Sequence, residues 1–302
     1  MEPIIIEYAN ELYPERLRYI EKPPSRLYVL GNIEILNEVG IAVIGSRTNT
    51  EYGEKMCKKF VKGLLEYNIN IISGLAFGID SIAHMSCLKN GGKTIAVLPS
   101  GLKNVCKATN KILIDEIINN EGVIISEYEN NTNADSDKFL ERNRIVAGLG
   151  VGTLVVEAGY RSGTSVTARF TRQNEKPVFC VPSSLENMKG RLTNEFIQKG
   201  AKLVRNVEDI IKEINKSNPE IEFYKKEIKT KNLYFDISPK LLNVYKEITN
   251  EPKDLNQISR RSGLSISEVN YKIVMLQLED KIVELPGQRF IRNDKESWEE
   301  YI

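Results

Sequence analysis

One histidine, His84, is all that the chain offers in 302 residues, and that scarcity excludes much. A multi-histidine metal centre is out of reach, as is any Ser-His-Asp triad not built on His84. Cysteine is sparse as well. Cys57, Cys87, Cys106 and Cys180 lie far apart with no C-x-x-C pair, so they read as reduced thiols and not as a zinc site or a disulfide frame. No apolar run approaches the length of a membrane span, and the N-terminus shows no signal-peptide pattern, so a cytoplasmic location is expected. A surplus of charge is missing too. With 42 basic against 41 acidic side chains and a formal net charge of +1, any grip on a polyanion must come from a local patch.

What is present is a repeated strand-turn-helix pattern. Ile41–Ile44 is an apolar run that breaks into Gly45-Ser46-Arg47, followed by a helical stretch with apolar positions at Met56, Phe60, Val61, Leu64 and Leu65. A second run, Ile69–Ile72, breaks into Ser73-Gly74-Leu75-Ala76-Phe77-Gly78. Further β-branched runs stand at Ile95–Leu98, Gly122–Ser126, Leu154–Glu157 and Val178–Val181, and the amphipathic Val207–Ile214 closes the pattern. This predicts an α/β fold, a doubly wound, Rossmann-like parallel sheet covered on both faces. Open sheets of this kind bind ligands at the carboxyl ends of their strands, where helix N-termini present unpaired N–H groups. With Arg47 beside the first turn, the expected ligand is an anion, and phosphate in particular. The turn GSRTNTEYG does not fit the dinucleotide fingerprint. Gly91-Gly92-Lys93-Thr94 does not make a Walker A loop, because Cys87 holds the leading glycine position and Lys93-Thr94 runs into a strand.

Domain boundaries follow from composition. Residues 1–40 read as a short N-terminal lead-in, 41–215 as the sheet domain and the charged stretch 216–236 as a linker. Residues 237–302 recover an apolar pattern: a helix at Pro239–Ile248, a turn at Gly263, an N-cap at Ser265 with Glu268 three residues on, and a hairpin about Pro286-Gly287. That is a small C-terminal winged helix, whose helix at Ser267–Leu278 would contact either DNA or protein.

The segments IAVIGSR, IISGLAFGIDSIAH, TIAVLPSGL, FLERNRIVAGL, LVVEAGYRSGTSVTA and PVFCVPSS stand in one order over about Leu27–Val207. In that order they resemble the DprA/Smf family, the bacterial DNA-processing proteins of natural transformation. The resemblance implies sequence-independent binding of single-stranded DNA without catalysis, protection of incoming strands, loading of the RecA recombinase and a homodimer built on the sheet domain. It implies no cofactor and no metal. The backbone of the strand would pass Gly45, Ser46 and Arg47, then Gly74, Leu75 and Ala76, then Gly163, Thr164 and Ser165. Phe139, placed at a loop rim beside Lys138, would stack on a base, and Arg142, Asn143 and Arg144 are candidates to hold phosphates or to tie neighbouring turns. The motif Phe139–Arg144 reads as the start of an apolar helix, Ile145–Leu149.

Two further readings concern catalysis. The stretch around Glu157 and Arg161 also resembles a wider superfamily that includes nucleotide phosphoribohydrolases, but the paired glycines and the acidic pair of their loop are missing. Asp80 and His84 lie four apart, a spacing that suits a helix-stabilising pair or, alternatively, acid–base chemistry. Asn110 and Asn194 are expected to tie loops together.

Overall fold

A computed structural model describes residues 2–103, 111–160, 162–226, 237–279 and 281–293. The chain divides into two compact units, Met1–Thr230 and Lys231–Ile302.

The first unit is built on a sheet of nine strands. In chain order its elements are β1 (Ile4–Glu7), α1 (Glu15–Arg18), β2 (Arg26–Gly31), β3 (Gly40–Gly45), α2 (Glu51–Glu66), β4 (Asn70–Ser73), α3 (Ile79–Lys89), β5 (Thr94–Val97), α4 (Lys111–Asn119), β6 (Val123–Ser126), α5 (Ser136–Leu149), β7 (Thr153–Glu157), α6 (Thr164–Gln173), β8 (Val178–Cys180), α7 (Arg191–Gln198), β9 (Lys202–Leu203) and α8 (Val207–Ser217). The strand order is β1-β2-β6-β5-β4-β3-β7-β8-β9, with β6 to β9 parallel. Side chains alternate across the sheet as period-2 strands require. Ala42 and Ile44 enter a core shared with α1, α5, α6 and α7, while Ile41 and Val43 enter one shared with α2, α3 and α8.

The chain winds outward from β3 in one direction through β4, β5 and β6, then returns to the other side of β3 with β7. The β3/β7 boundary is therefore the topological switch point, where a crevice opens above the carboxyl ends. The register slips there between Ile44 and Gly45, so that Gly45 faces Glu157. Only glycine fits: a Cβ on Gly45 would lie 2.7 Å from Ile79 Cγ1 and 2.8 Å from the Glu157 carbonyl oxygen.

Two stretches depart from the sequence reading. Residues 1–40 are no mere lead-in, because β2 pairs antiparallel with β6 and β1 antiparallel with β2, extending the sheet by two strands. Leu27 and Val29 point into the core, and Tyr13 is buried with its hydroxyl donating to the Pro24 carbonyl at 2.8 Å. In the stretch read as a linker, 218–226 lies against α2: Ile221 and Phe223 pack on the core, and the Lys226 N–H donates to the Glu66 carbonyl at 2.7 Å. Two apolar anchors were enough to dock a segment whose overall composition is charged.

The second unit contains α9 (Leu242–Glu247), β10 (Lys253–Asp254), α10 (Leu255–Ser262), α11 (Ile266–Leu278), β11 (Ile282–Leu285) and β12 (Arg289–Arg292), with strand order β10-β12-β11. It is a winged helix. Both α10 and α11 start in capping boxes, Asp254 with Gln257 and Ser265 with Glu268, and α10 ends at Gly263 with φ +69°. Val244, Tyr245, Ile258, Val269, Ile273 and Phe290 fill its core. On α11, Ile266, Tyr271 and Val274 face outward, while the Lys272 ammonium is drawn to the Lys240 carbonyl at 2.7 Å and to Asn243 Oδ1 at 2.8 Å.

Candidate functional site

The switch-point crevice holds a cavity of about 390 Å³ lined by Gly45, Arg47, Gly74, Ala76, Phe139, Arg142, Asn143, Gly163 and Thr164, among others. These nine residues come from four places in the sequence, and each was expected at the site. Lys138, Arg144, Ser46, Leu75 and Ser165 belong to the same segments but do not line it.

Helix α5 sorts the arginines. It begins at Ser136, capped by the Asp135 carboxylate, which accepts the Lys138 N–H at 2.9 Å; it does not begin within the motif at Phe139. Arg142 and Arg144 therefore sit inside the helix, two positions and roughly 200° apart around its axis. Arg142 turns to the sheet and is 3% exposed. Its guanidinium donates to the Gly74 carbonyl at 2.6 Å and to the Val97 carbonyl, joining the ends of β4 and β5. Gly74 must be glycine for this, because a Cβ would lie 2.5 Å from Arg142 Nη2. Arg144 turns the other way and forks onto Glu127 at 2.9 and 2.6 Å, with both side chains 15% exposed. It is a structural arginine and not part of the cavity. Lys138 is likewise tied to Asp135 and leans on the Tyr128 ring at 5.9 Å.

Asp80 is the buried counter-charge beneath the cavity. Its carboxylate accepts the Gly74 N–H at 3.2 Å. Burial raises its pKa against the pull of Arg142, while burial lowers that of Arg142 to about 10 against the pull of Asp80. The expected Asp80–His84 pair does not form. His84 Nδ1 lies 2.7 Å from Thr94 Oγ1, and that hydroxyl donates its hydrogen to the Ile71 carbonyl at 2.8 Å. Nδ1 must then carry the imidazole proton, and Nε2 is buried without a partner among the described residues. Burial, reinforced by the Arg142 charge, lowers the His84 pKa to about 3. His84 is a neutral core residue.

The mouth of the cavity is built differently. Arg47 is exposed, and its guanidinium lies over the Phe139 ring, 4.9 Å from the centroid. Beside it, the Ser162 hydroxyl donates to Thr164 Oγ1 at 2.7 Å, which donates in turn to the Gly45 carbonyl at 3.3 Å. Asn143 Nδ2 reaches the Gly163 carbonyl at 3.4 Å. Gly163 caps α6 and is open to solvent, while the N–H groups that follow it are taken up locally, that of Thr164 by Ser162 Oγ at 3.2 Å, that of Ser165 by the Ser162 carbonyl at 3.0 Å and that of Val166 by the Gly163 carbonyl at 3.1 Å. Positive charge, hydroxyls and one aromatic ring thus meet in one opening.

Glu157, the carboxylate read as catalytic in the hydrolase alternative, is 1% exposed and saturated. It accepts from the Thr50 N–H at 2.8 Å, the Thr50 hydroxyl at 2.6 Å and Asn187 Nδ2 at 3.0 Å, and so clamps the start of α2 to the end of β7. Composition gave no sign of this clamp, nor of Asp80 as the charge partner of Arg142. Arg161, Cys106 and Asn110 lie outside the described residues. Asn194 does tie a loop, holding both the N–H and the carbonyl of Ser183 at 3.1 and 2.9 Å. No cluster of three or more potential metal ligands occurs among the described residues.

A family model described as DNA recombination-mediator protein A matches residues 4–215, and one described as the DprA winged helix domain matches 236–288. The chain belongs to the DprA/Smf family. It is 33% identical over 290 residues to Protein Smf of Escherichia coli, covering 94% of this chain and 76% of that one. It is 39% identical over 204 residues to DNA processing protein DprA of Streptococcus pneumoniae, covering 68% and 72%. Among solved structures, the X-ray structure of DprA from S. pneumoniae superposes with a TM-score of 0.66 at 36% identity, covering 74% of this chain and 75% of that one. DprA from Helicobacter pylori, described for its single-stranded DNA binding mode, superposes with a TM-score of 0.63 at 30% identity, covering 72% and 99%. With these DprA/Smf relatives the chain shares a role in DNA processing and recombination.

Proposed function

We propose that this chain binds single-stranded DNA without sequence preference, in the cytoplasm, and does no chemistry on it. The observation that carries this reading is the mouth of the crevice, where an exposed arginine and an aromatic ring meet beside the solvent-open Gly163 turn. A phosphate suits the Arg47 fork, and a base suits the Phe139 ring. None of this reads a base edge, so the grip is indifferent to sequence. The DprA relative known for single-strand binding supports the same assignment. Absence of catalysis fits the state of the carboxylates: Glu157 is engaged on every side, and Asp80 lies buried against Arg142. The buried thiols of Cys57, Cys87 and Cys180 suit a reducing compartment. The wider role carried over from the family is to shield incoming strands and load RecA on them. A homodimer would turn one modest site into a firm grip through effective concentration.

The test is fluorescence anisotropy with labelled oligothymidine. Arg47→Ala and Phe139→Ala each weaken binding roughly 5-fold or more, and neither AMP nor duplex DNA displaces the strand efficiently. Displacement by AMP, or full affinity in both variants, would transfer the site to a mononucleotide ligand or move DNA binding elsewhere.

A further inference from the structure

Helix α11 of the second unit carries only two charged side chains, and both are already engaged. Glu268 closes the capping box with Ser265, and Lys272 reaches the Lys240 carbonyl and Asn243 Oδ1. The helix turns Val269, Ile273 and Leu276 to the core. On the opposite side, spaced i and i+3, Tyr271 and Val274 are 66% and 46% exposed. A face whose one lysine is engaged offers little to a phosphate backbone. Two neighbouring apolar side chains on the outward side of an amphipathic helix instead suit an apolar partner.

The chain itself supplies such a partner. Past Asn293 it reads Asp294-Lys295-Glu296-Ser297-Trp298-Glu299-Glu300-Tyr301-Ile302, in which Trp298, Tyr301 and Ile302 are spaced i, i+3 and i+4, as one face of a short amphipathic segment requires. Its point of departure is fixed. Arg292 pairs with Ile282, and the Asn293 N–H donates to the Lys281 carbonyl at 3.0 Å, so the chain leaves β12 beside the residues that follow α11. Counted back from Leu278, Val274 and Tyr271 lie about 6 and 10 Å along the helix. The stretch from Asn293 to Trp298 spans up to about 16 Å when extended, enough to bring the indole onto that pair. We infer that the outward face of α11 is the docking surface of the chain's own segment 294–302, with Trp298 seated against Tyr271 and Val274. The docked segment covers the part of α11 that a DNA duplex or another protein would have to reach, and closes the winged helix to both until it is lifted. This contact is independent of the crevice in the first unit.

Trp298 is the single tryptophan of the chain, so its fluorescence reports the contact on the full chain without a label. Against a free peptide of residues 294–302, the wild type should show Trp298 emission shifted to shorter wavelength and protected from quenching by acrylamide. Tyr271→Ser and Val274→Ser, both at exposed positions outside the core, should each reverse part of that shift. The double variant should match the free peptide while its far-UV circular dichroism stays that of the wild type. A wild-type indole as accessible as that of the peptide overturns the inference, and so does protection that survives in the double variant. Protection that fades on dilution would assign the face to the segment of a second copy and overturn docking within one chain.

Discussion

His84 shows how far burial can take one side chain from its usual chemistry. In the unfolded chain it takes up a proton near pH 6.5; in the folded chain its pKa falls to about 3. Between those values the unfolded state binds the extra proton. The stability tied to a neutral His84 is therefore complete above pH 6.5 and drains away as the pH falls toward 3, by about 1.4 kcal/mol per unit. Urea unfolding at pH 7 and pH 5 should show the wild type losing about 2 kcal/mol more over that interval than His84→Leu, which has no proton to gain. A lone histidine four residues from an aspartate could be read from sequence as a pair; what decided otherwise was Thr94, a strand residue that no local pattern connects to α3. The two arginines of the R-N-R motif are a similar case. They look equivalent while the motif is read as the start of the helix, and become opposite in role once the helix begins at Ser136, because helical phase then sends one inward and the other to Glu127.

At the scale of elements, α5 is the part on which the site depends. It brings Phe139 to the cavity mouth, Arg142 to its floor and Asn143 to the Gly163 turn. Arg142→Met would leave the Gly74 and Val97 carbonyls unmet and the Asp80 charge alone in the core. Equilibrium unfolding should register a loss of about 3–5 kcal/mol, the cost of removing one partner from a buried charge pair, while Arg144→Met, at a partly exposed pair, costs much less. The strands around this helix were legible because β-branched runs ending in glycine have few other readings. The N-terminal pair β1 and β2 was not, since β2 is fixed by antiparallel pairing to β6, nearly a hundred residues away in sequence, and β1 only by pairing to β2.

For the whole molecule, the near-neutral net charge leaves the proposed grip on DNA to a local site, and there Arg47 is the exposed cation, since Arg142 is buried against Asp80. Binding should still weaken with salt, because each phosphate held returns a counterion when released. In a titration of oligothymidine affinity against salt, Arg47→Ala should flatten the log–log slope by about 0.7, one phosphate's share for a single strand. An unchanged slope would mean that Arg47 meets no phosphate.

The guanidinium of Arg47 over the Phe139 ring has a last consequence. On the proposed reading, a base that comes to Phe139 would find its seat taken and would have to trade places with the arginine. The exchange gains only the difference between a stacked base, ~1–3 kcal/mol, and a cation on a ring, ~0.5–2 kcal/mol. Arrival and departure of a base at that position would thus be nearly balanced. A strand so held would be secured by the number of its contacts and could be surrendered one nucleotide at a time.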